Sequence, residues 1–409
     1  MKSRLELYVR LVRLALLTSK GNGARLTSKR LAVMSLFLPA FLLVQTFHWI
    51  GFLLDDIFFR GYRGVEVKTP LFIVGVPRSG TTFLHRVLAK DAERFTTFKL
   101  WELIFAPSVA ERMLWITLGK LDRVVGNPVT RLIAWIERKA FNQIDNIHSV
   151  SLNAPEEDYL TLVPIFACFL LVLPFPLSED LWRLSYFDDQ LPESSKNQIL
   201  AFYKSCLQRH LYVRGVDKCI LSKNPSFSPM VKALNATFPD CQVVCNVRNP
   251  LYAVPSLLSS MMAGARIFDS DPEGKIFRVR LIDMLKYYYR HLTTTLSLWP
   301  QHRQVFVTME ELQADVVTTV NKIYARFGYS MPAYFEEALQ SEYQQARNYR
   351  SRHKYSLEQF ALTPDTIFED FSEVFAIFKF HDLSVENAAK CQTSSGKTVA
   401  LSKVDSPNG

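Results

Sequence analysis

The sequence predicts an α/β fold with a mainly parallel sheet flanked by helices, preceded by an apolar N-terminal helix. Three observations carry this. Short, continuous apolar runs lie at 71–76 (LFIVGV), 241–247 (CQVVCNV) and 304–308 (QVFVT), a pattern suited to strands buried on both faces. Stretches of helical periodicity separate them, and alternation of this kind favours a mainly parallel sheet. The first two runs also end abruptly, at Pro77 and at Asn249-Pro250.

The elements follow in chain order. Residues 1–30 carry eight basic side chains and one acid, Glu6, so most of the formal net charge of +9 sits there. The rest of the chain is nearly neutral, which argues against a nucleic-acid-binding surface. Residues 5–17 form a basic, leucine-rich amphipathic stretch suited to an anionic lipid surface. From Leu31 to Leu54 there is no Lys, Arg, Asp or Glu. As a helix this run spans about 36 Å, enough for a hydrocarbon core of about 30 Å. The expectation is a membrane anchor over 31–59; a hydrophobic hairpin packed on the following domain is the alternative. If the segment crosses, the basic cluster before it keeps the N-terminus cytosolic. Only a short link separates it from the first strand, so the folded part must lie against the bilayer.

After the 71–76 strand the periodicity predicts a helix from Thr81 to Lys90. Further helices are expected over 195–212, 228–238, 279–298 and 311–327. Tyr159 to Leu177 has no charge but contains Pro164, Pro174 and Pro176. Three prolines oppose a second crossing. A buried helix pair is expected there, with the wall of an apolar acceptor pocket or a lipid-dipping surface as alternatives. Six cysteines in 409 residues are too few for a disulfide scaffold, and none forms a CxxC pair. Cys241 and Cys245 read as small core hydrophobes. Residues 384–409 lose periodicity and aromatics and read as a disordered tail.

The chemistry is concentrated after the first strand, in Gly75-Val76-Pro77-Arg78-Ser79-Gly80-Thr81-Thr82. A tight loop from a strand into a helix N-terminus turns backbone N–H groups towards an anion. The Walker pattern would place lysine where Thr81 stands. Here the loop's cation comes earlier, at Arg78. A shorter anion such as a phosphosulfate, held without metal, fits better than a magnesium-bound triphosphate. The second signal is Val247-Arg248-Asn249-Pro250, with Ser256 eight residues beyond Arg248. An arginine at a strand end and a serine on the next helix can address one phosphate. Two anion sites at the strand ends of one parallel sheet fit a nucleotide with phosphates on both ends of its ribose.

On these motifs the chain resembles the nucleotide-dependent sulfotransferases, in particular the branch with a P-R-S-G-T-T loop. The likeness continues in Pro155-Glu156-Glu157-Asp158, Leu221-Ser222-Lys223-Asn224-Pro225, Val307-Thr308-Met309-Glu310-Glu311-Leu312 and Ser351-Arg352-His353-Lys354-Tyr355-Ser356, and it sets a sulfotransferase domain at 68–383. The resemblance implies the sulfotransferase fold, α/β with a P-loop-like parallel sheet flanked by helices, with 3′-phosphoadenosine-5′-phosphosulfate (PAPS) as donor and no metal. It assigns Pro77, Arg78, Ser79, Gly80, Thr81 and Thr82 to the 5′-phosphosulfate, and Arg248 with Ser256 to the 3′-phosphate. Lys223 is a candidate for the bridging oxygen or the leaving phosphate. Arg78 and the loop N–H groups stabilise the transferring group.

The acceptor hydroxyl needs a base. Glu102, 24 residues after Arg78, is the first candidate, because related branches place a glutamate at a similar distance. His85 is the alternative, and the acidic run 156–158 is a third place to look. The short tether and the apolar 159–177 segment favour a lipid-linked or otherwise hydrophobic acceptor, with carbohydrate left open. A nucleotide or small-molecule kinase and a membrane scaffold with a degenerate loop are the competing classes. The missing Walker lysine opposes the first; the intact Arg78, Thr82, Arg248 and Ser256 oppose the second. In a eukaryote the expected place is the Golgi membrane facing the lumen, where Asn235-Ala236-Thr237 would be a glycosylation site. In a bacterium it is the cytoplasmic face of the inner membrane. The sequence leaves the oligomeric state open.

Overall fold

The computed structural model describes residues 4–16, 24–132, 135, 151–348 and 356–380. The expected disordered tail and residues 351–355 of the basic motif lie outside these. Five strands form one sheet: β1 Leu71–Gly75, β2 Phe95–Thr96, β3 Cys219–Lys223, β4 Gln242–Val247 and β5 Gln304–Thr308, in the order β2-β3-β1-β4-β5. Every pairing is parallel. The helices used below are α1 Arg4–Leu16, α2 Ser28–Phe58, α3 Thr81–Leu88, α4 Leu100–Phe105, α5 Val109–Val124, α6 Glu193–Arg214, α7 Val231–Thr237, α8 Pro250–Ile267, α9 Lys275–Leu296, α10 Met309–Ala314 and α11 Val316–Phe327.

All five residues of β1 are buried, and its side chains divide between two cores with the two-residue period of a strand. Phe72 and Val74 join Val243, Cys245 and Val247 in a large cluster under α6, α8 and α9. Leu71 and Ile73 join Val244, Val305 and Val307 in a smaller one under α3 and α11. Cys241 and Cys245 are buried, and burial pushes the Cys241 thiol up to about 11 and Cys245 higher still. They are core residues, as expected.

The three strands read from the sequence are present, the first two each one residue shorter than their apolar runs. β2 and β3 were not predicted. β2 has two residues, and the apolar part of β3 gives way to Ser222 and Lys223. The helix expected over 311–327 is two helices, α10 and α11, divided at Asp315, whose side chain caps α11 by accepting from Val317 N and Thr318 N. The segment 159–177 is buried, but not as a helix pair. It folds as two 3₁₀ segments, Asp158–Ile165 and Phe169–Val172, because its prolines break the i→i−4 ladder.

The apolar run 31–54 falls in α2, which ends one residue short of the expected anchor boundary at 59 and is by length and composition long enough to cross a membrane. α2 is nevertheless packed along the rest of the fold. Arg30, fully buried, donates to the carbonyls of Phe268 and Pro174 and to Ser270 Oγ. In the middle, His48 Nδ1 lies 2.7 Å from Glu111, and Trp49 Nε1 donates to Pro164 O. Near the C-terminal end the buried Asp55 carboxylate meets Arg209 Nε at 2.7 Å and caps α5 by accepting from Val109 N and Ala110 N.

That last contact makes α2 a structural part of the domain. Removing one member of a buried pair strands the other charge, at a cost of about 3–5 kcal/mol. Asp55→Asn is therefore expected to lower the unfolding free energy by about that amount in a denaturant titration. An effect below about 1 kcal/mol, the scale of an exposed pair, would show that α2 is not an integral part of the fold.

Candidate active site

The phosphate loop joins β1 to α3, and its shape follows from how closely β1 approaches β4. Gly75 has φ +130°, and a Cβ there would stand 1.9 Å from the Asn246 carbonyl oxygen, so only glycine fits. That same oxygen accepts from Val76 N at 3.0 Å and Ser79 Oγ at 3.2 Å. Asn246 Nδ2 in turn donates to Ser79 O, and Ser228 Oγ bonds both the N–H and the carbonyl of Gly75. Gly80 starts α3 in the left-handed region at φ +82°. Arg78 is also left-handed, at φ +70°, which is uncommon for a residue with a side chain. Neighbouring contacts over-determine this conformation, as strained functional loops require.

Two clusters of polar side chains flank the loop. On the β4 side, Arg78 Nε donates to Ser256 Oγ at 3.0 Å. Arg248 Nη1 donates to the Arg78 carbonyl at 2.8 Å, and Tyr289 OH donates to Arg248 O. Arg78, Arg248 and Ser256 thus meet in space although 170 residues separate the first two. On the β3 side, Lys223 Nζ lies 3.2 Å from Thr82 Oγ1, 2.7 Å from Glu157 Oε1 and 3.6 Å from Glu156 Oε1. Thr82 is in the first turn of α3, so the lysine missing from the loop is matched by a cation from the adjacent strand. A tight loop into a helix N-terminus, two arginines and a lysine suit a ligand with two or more phosphate-like groups.

The three acids of 156–158 have different surroundings. Asp158 is fully buried and accepts from Tyr203 OH at 2.5 Å, Ser222 Oγ at 2.9 Å and Asn224 Nδ2 at 2.5 Å. Burial pushes its carboxyl above the usual range. Asp158 therefore latches its segment to the end of β3. The side chains of Glu156 and Glu157 are 27% and 26% exposed. An antiparallel bridge from Lys99 to Pro155, and the bond from Glu156 N to Phe98 O, hold them beside the start of α4.

Glu102, the first candidate for the base, lies on α4 and is 0% exposed. One carboxylate oxygen accepts from Lys99 N at 2.8 Å, capping its own helix. The other accepts from Nε and Nη2 of Arg214. The structure thus gives this carboxylate two partners and places it in the support of α4. His85, the alternative, is also 0% exposed, with Nε2 2.7 Å from Thr97 Oγ1. Burial, with Lys223 and Arg86 nearby, holds it well below the ordinary histidine range. Asn235 of the sequon accepts from Arg303 Nη2 at the end of α7.

Sequence reading missed the supports of this site: Asn246, Ser228, Tyr289 and Arg214. For Asn246 a signal existed, since an amide near the end of a buried strand must find partners. The other three carry no local signal. A cleft of about 400 Å³ on α9, lined by Tyr186, Asp189, Asp283, Lys286 and their neighbours, contains none of the site residues.

His85 also sets a pH dependence. Buried His210, beside Arg112 and Arg214, is likewise held well below the ordinary range. Below about pH 6.5 the unfolded chain binds protons at these positions that the folded chain refuses, so stability falls as pH drops. Each such histidine contributes a slope of up to about 1.4 kcal/mol per pH unit. Unfolding measured between about pH 7.5 and 5.5 is expected to show this decline, with a shallower slope for His85→Gln. An unchanged slope would show that His85 is not held neutral.

Comparison with known proteins supplies the family. Residues 70–333 match the model of a family described as the sulfotransferase family. Over 270 residues the chain is 25% identical to the omega-hydroxy-beta-dihydromenaquinone-9 sulfotransferase Stf3 of Mycobacterium bovis, and equally to that of Mycobacterium tuberculosis. The match covers 64% of this chain and 64% of each relative's length. Among solved structures, sulfotransferase STF9 from Mycobacterium avium superimposes with a TM-score of 0.71 at 18% identity, covering 93% of this chain and 91% of the other. Sulfotransferase STF1 from Mycobacterium tuberculosis gives 0.62 at 20% identity, covering 91% and 93%. At these identities the structures share the fold. With the family match spanning the sheet and both arginine-bearing loops, the chain belongs to the sulfotransferase family.

Proposed function

We propose that the protein transfers a sulfuryl group from PAPS to the hydroxyl of a hydrophobic or amphiphilic acceptor at a membrane. The observation that carries this is the convergence of Arg78, Arg248 and Ser256 on one side of the loop and Lys223 with Glu157 on the other. The loop Pro77–Thr82, with Arg78 and Lys223, would hold the 5′-phosphosulfate. Arg248 and Ser256 would hold the 3′-phosphate. The hydrophobic acceptor is supported by the apolar α2 and by the relatives' name, which is that of a sulfotransferase for a hydroxylated menaquinone derivative.

In this reading the acceptor oxygen attacks sulfur as its proton passes to a carboxylate. The bond from sulfur to the bridging oxygen breaks, and adenosine 3′,5′-bisphosphate leaves with the electron pair. Lys223 and Arg78 offset the charge growing on the leaving phosphate. Of the carboxylates, Glu157 is best placed to take the proton. It is reachable, and Lys223 ties it to Thr82 of the loop. Glu102, engaged by Arg214 and by its own helix, is the reading against which this is tested.

Donor selectivity is read from thermal shifts of the purified protein. Adenosine 3′,5′-bisphosphate without metal is expected to raise the melting temperature more than ATP with magnesium; the reverse order would favour the kinase class. Arg248→Ala should weaken the bisphosphate by about 1.5–3 kcal/mol, the scale of a charge-assisted bond, and adenosine 5′-phosphosulfate by much less. Equal losses would contradict the division into two sites.

The base is tested by comparing Glu157→Gln with Glu102→Gln. The first should lower turnover by about 10²–10⁴-fold with bisphosphate affinity retained. The second should lower the melting temperature, since it weakens the partner of Arg214, with a smaller loss of turnover. A large turnover loss in a stably folded Glu102→Gln, with Glu157→Gln near wild type, would assign the base to Glu102.

A further inference from the structure

The polarity of α2 is inverted. Its polar members Arg30, Gln45, His48 and Asp55 are buried against the protein, on the same face as Met34, Leu38 and Phe52. Its outward face has no charged residue from Leu31 to Leu54 and exposes Leu36, Leu43, Phe47 and Leu53, with Phe58 at 71% exposure. An aqueous surface helix has the opposite arrangement. α5 packs against α2, tied to it by the Asp55 cap and by His48 with Glu111. Beyond Arg112, α5 also exposes large apolar side chains, among them Leu114, Trp115 and Leu121, and Val124 at 83%. The two packed helices thus both expose large apolar side chains, the kind of surface that marks a protein or membrane contact.

The charges beside this surface are basic. Asp122 of α5 is spent on Val129 N and Thr130 N, and Glu111 on His48 and Ser108. Lys29, Lys120, Arg123 and Arg131 make no ion pair with a carboxylate among the described residues. An apolar face fringed by unpaired cations is complementary to a bilayer with anionic headgroups. A helix that crossed the membrane would have to leave the protein over most of its length. α2 cannot do so while Arg30, near one end, and Asp55, near the other, remain buried.

We propose that α2 and α5 form a monotopic docking surface, which lies in the plane of an anionic bilayer with its apolar side chains in the acyl region and Lys120 and Arg123 at the headgroups. The same surface leads towards the active site. α4, with Ile104 and Phe105 exposed, connects it to Phe98 and Lys99, which are bonded to the segment carrying Glu156 and Glu157. A membrane-dissolved acceptor would reach the site along that edge. This last step rests on the sulfuryl-transfer reading; the docking surface does not.

The test uses the full chain and preformed vesicles of phosphatidylcholine with or without phosphatidylglycerol. The protein should float with the anionic vesicles, and Phe47→Glu with Leu53→Glu should reduce binding by about a hundredfold at an unchanged melting temperature. Lys120→Glu with Arg123→Glu should abolish the preference for phosphatidylglycerol. Cysteines introduced at Arg25 and Arg60 should both react with an impermeant maleimide added outside the vesicles. Labelling of only one end would establish a crossing and overturn the proposal. So would absence of flotation, or a dimer in solution that Phe47→Glu dissociates, which would assign the face to a second copy. Loss of flotation with turnover of a water-soluble alcohol intact would leave the catalytic reading standing. Flotation without any turnover would do the reverse.

Discussion

The site depends on the approach of β1 to β4 at Gly75 and Asn246. The Asn246 carbonyl serves two donors, the N–H of Val76 and the hydroxyl of Ser79. This fixes the path of the chain out of β1 and so the direction in which the loop N–H groups point. Because the strands are parallel and in register, their C-terminal ends lie side by side. The loop after β1 and the loop after β4 must then meet, and Arg248 can bond the backbone of Arg78. A ligand crevice at the strand ends, where the chain passes to either side of the first strand, is the general consequence of this topology.

The second half of the site is carried by β3, on the other side of β1. Lys223 ends that strand and reaches Thr82. Asp158, buried and bonded to Tyr203, Ser222 and Asn224, holds the 156–158 segment against the same strand end. A buried carboxyl with three donors is costly to disturb, because Ser222 would lose its acceptor and Tyr203 and Asn224 would keep only Ser222. The reachable pair Glu156 and Glu157 is therefore supported by an unreachable neighbour. Glu102 supports α4 in a similar way through Arg214.

Placement of α2 follows from desolvation. Arg30 and Asp55 are buried only because the body of the protein supplies carbonyls, backbone N–H groups and Arg209. In hydrocarbon alone those charges would be prohibitively expensive. The polar groups of α2 hold it to the protein, and its apolar groups face outward.

Local pattern determined much of this protein. Continuous apolar runs marked β1, β4 and β5, since strands buried on both faces need no alternation. Glycines and hydroxyls at fixed offsets marked the phosphate loop, because backbone geometry there admits few residues. β2 and β3 were too short or too polar to carry such a signal. Only the tertiary structure decided which charges meet. The resemblance makes Lys223 a candidate for the leaving phosphate, but its meeting with Thr82 and Glu157 follows only once β3 is placed beside β1; Glu102 reads as the base, and only the fold brings Arg214 to it from the end of α6. Likewise, 24 uncharged residues mark α2 as an apolar helix, but only the fold shows that Arg30 and Asp55, just outside them, are buried. Periodicity is a property of neighbours along the chain, whereas pairing of buried charges is set by contacts between residues more than a hundred positions apart.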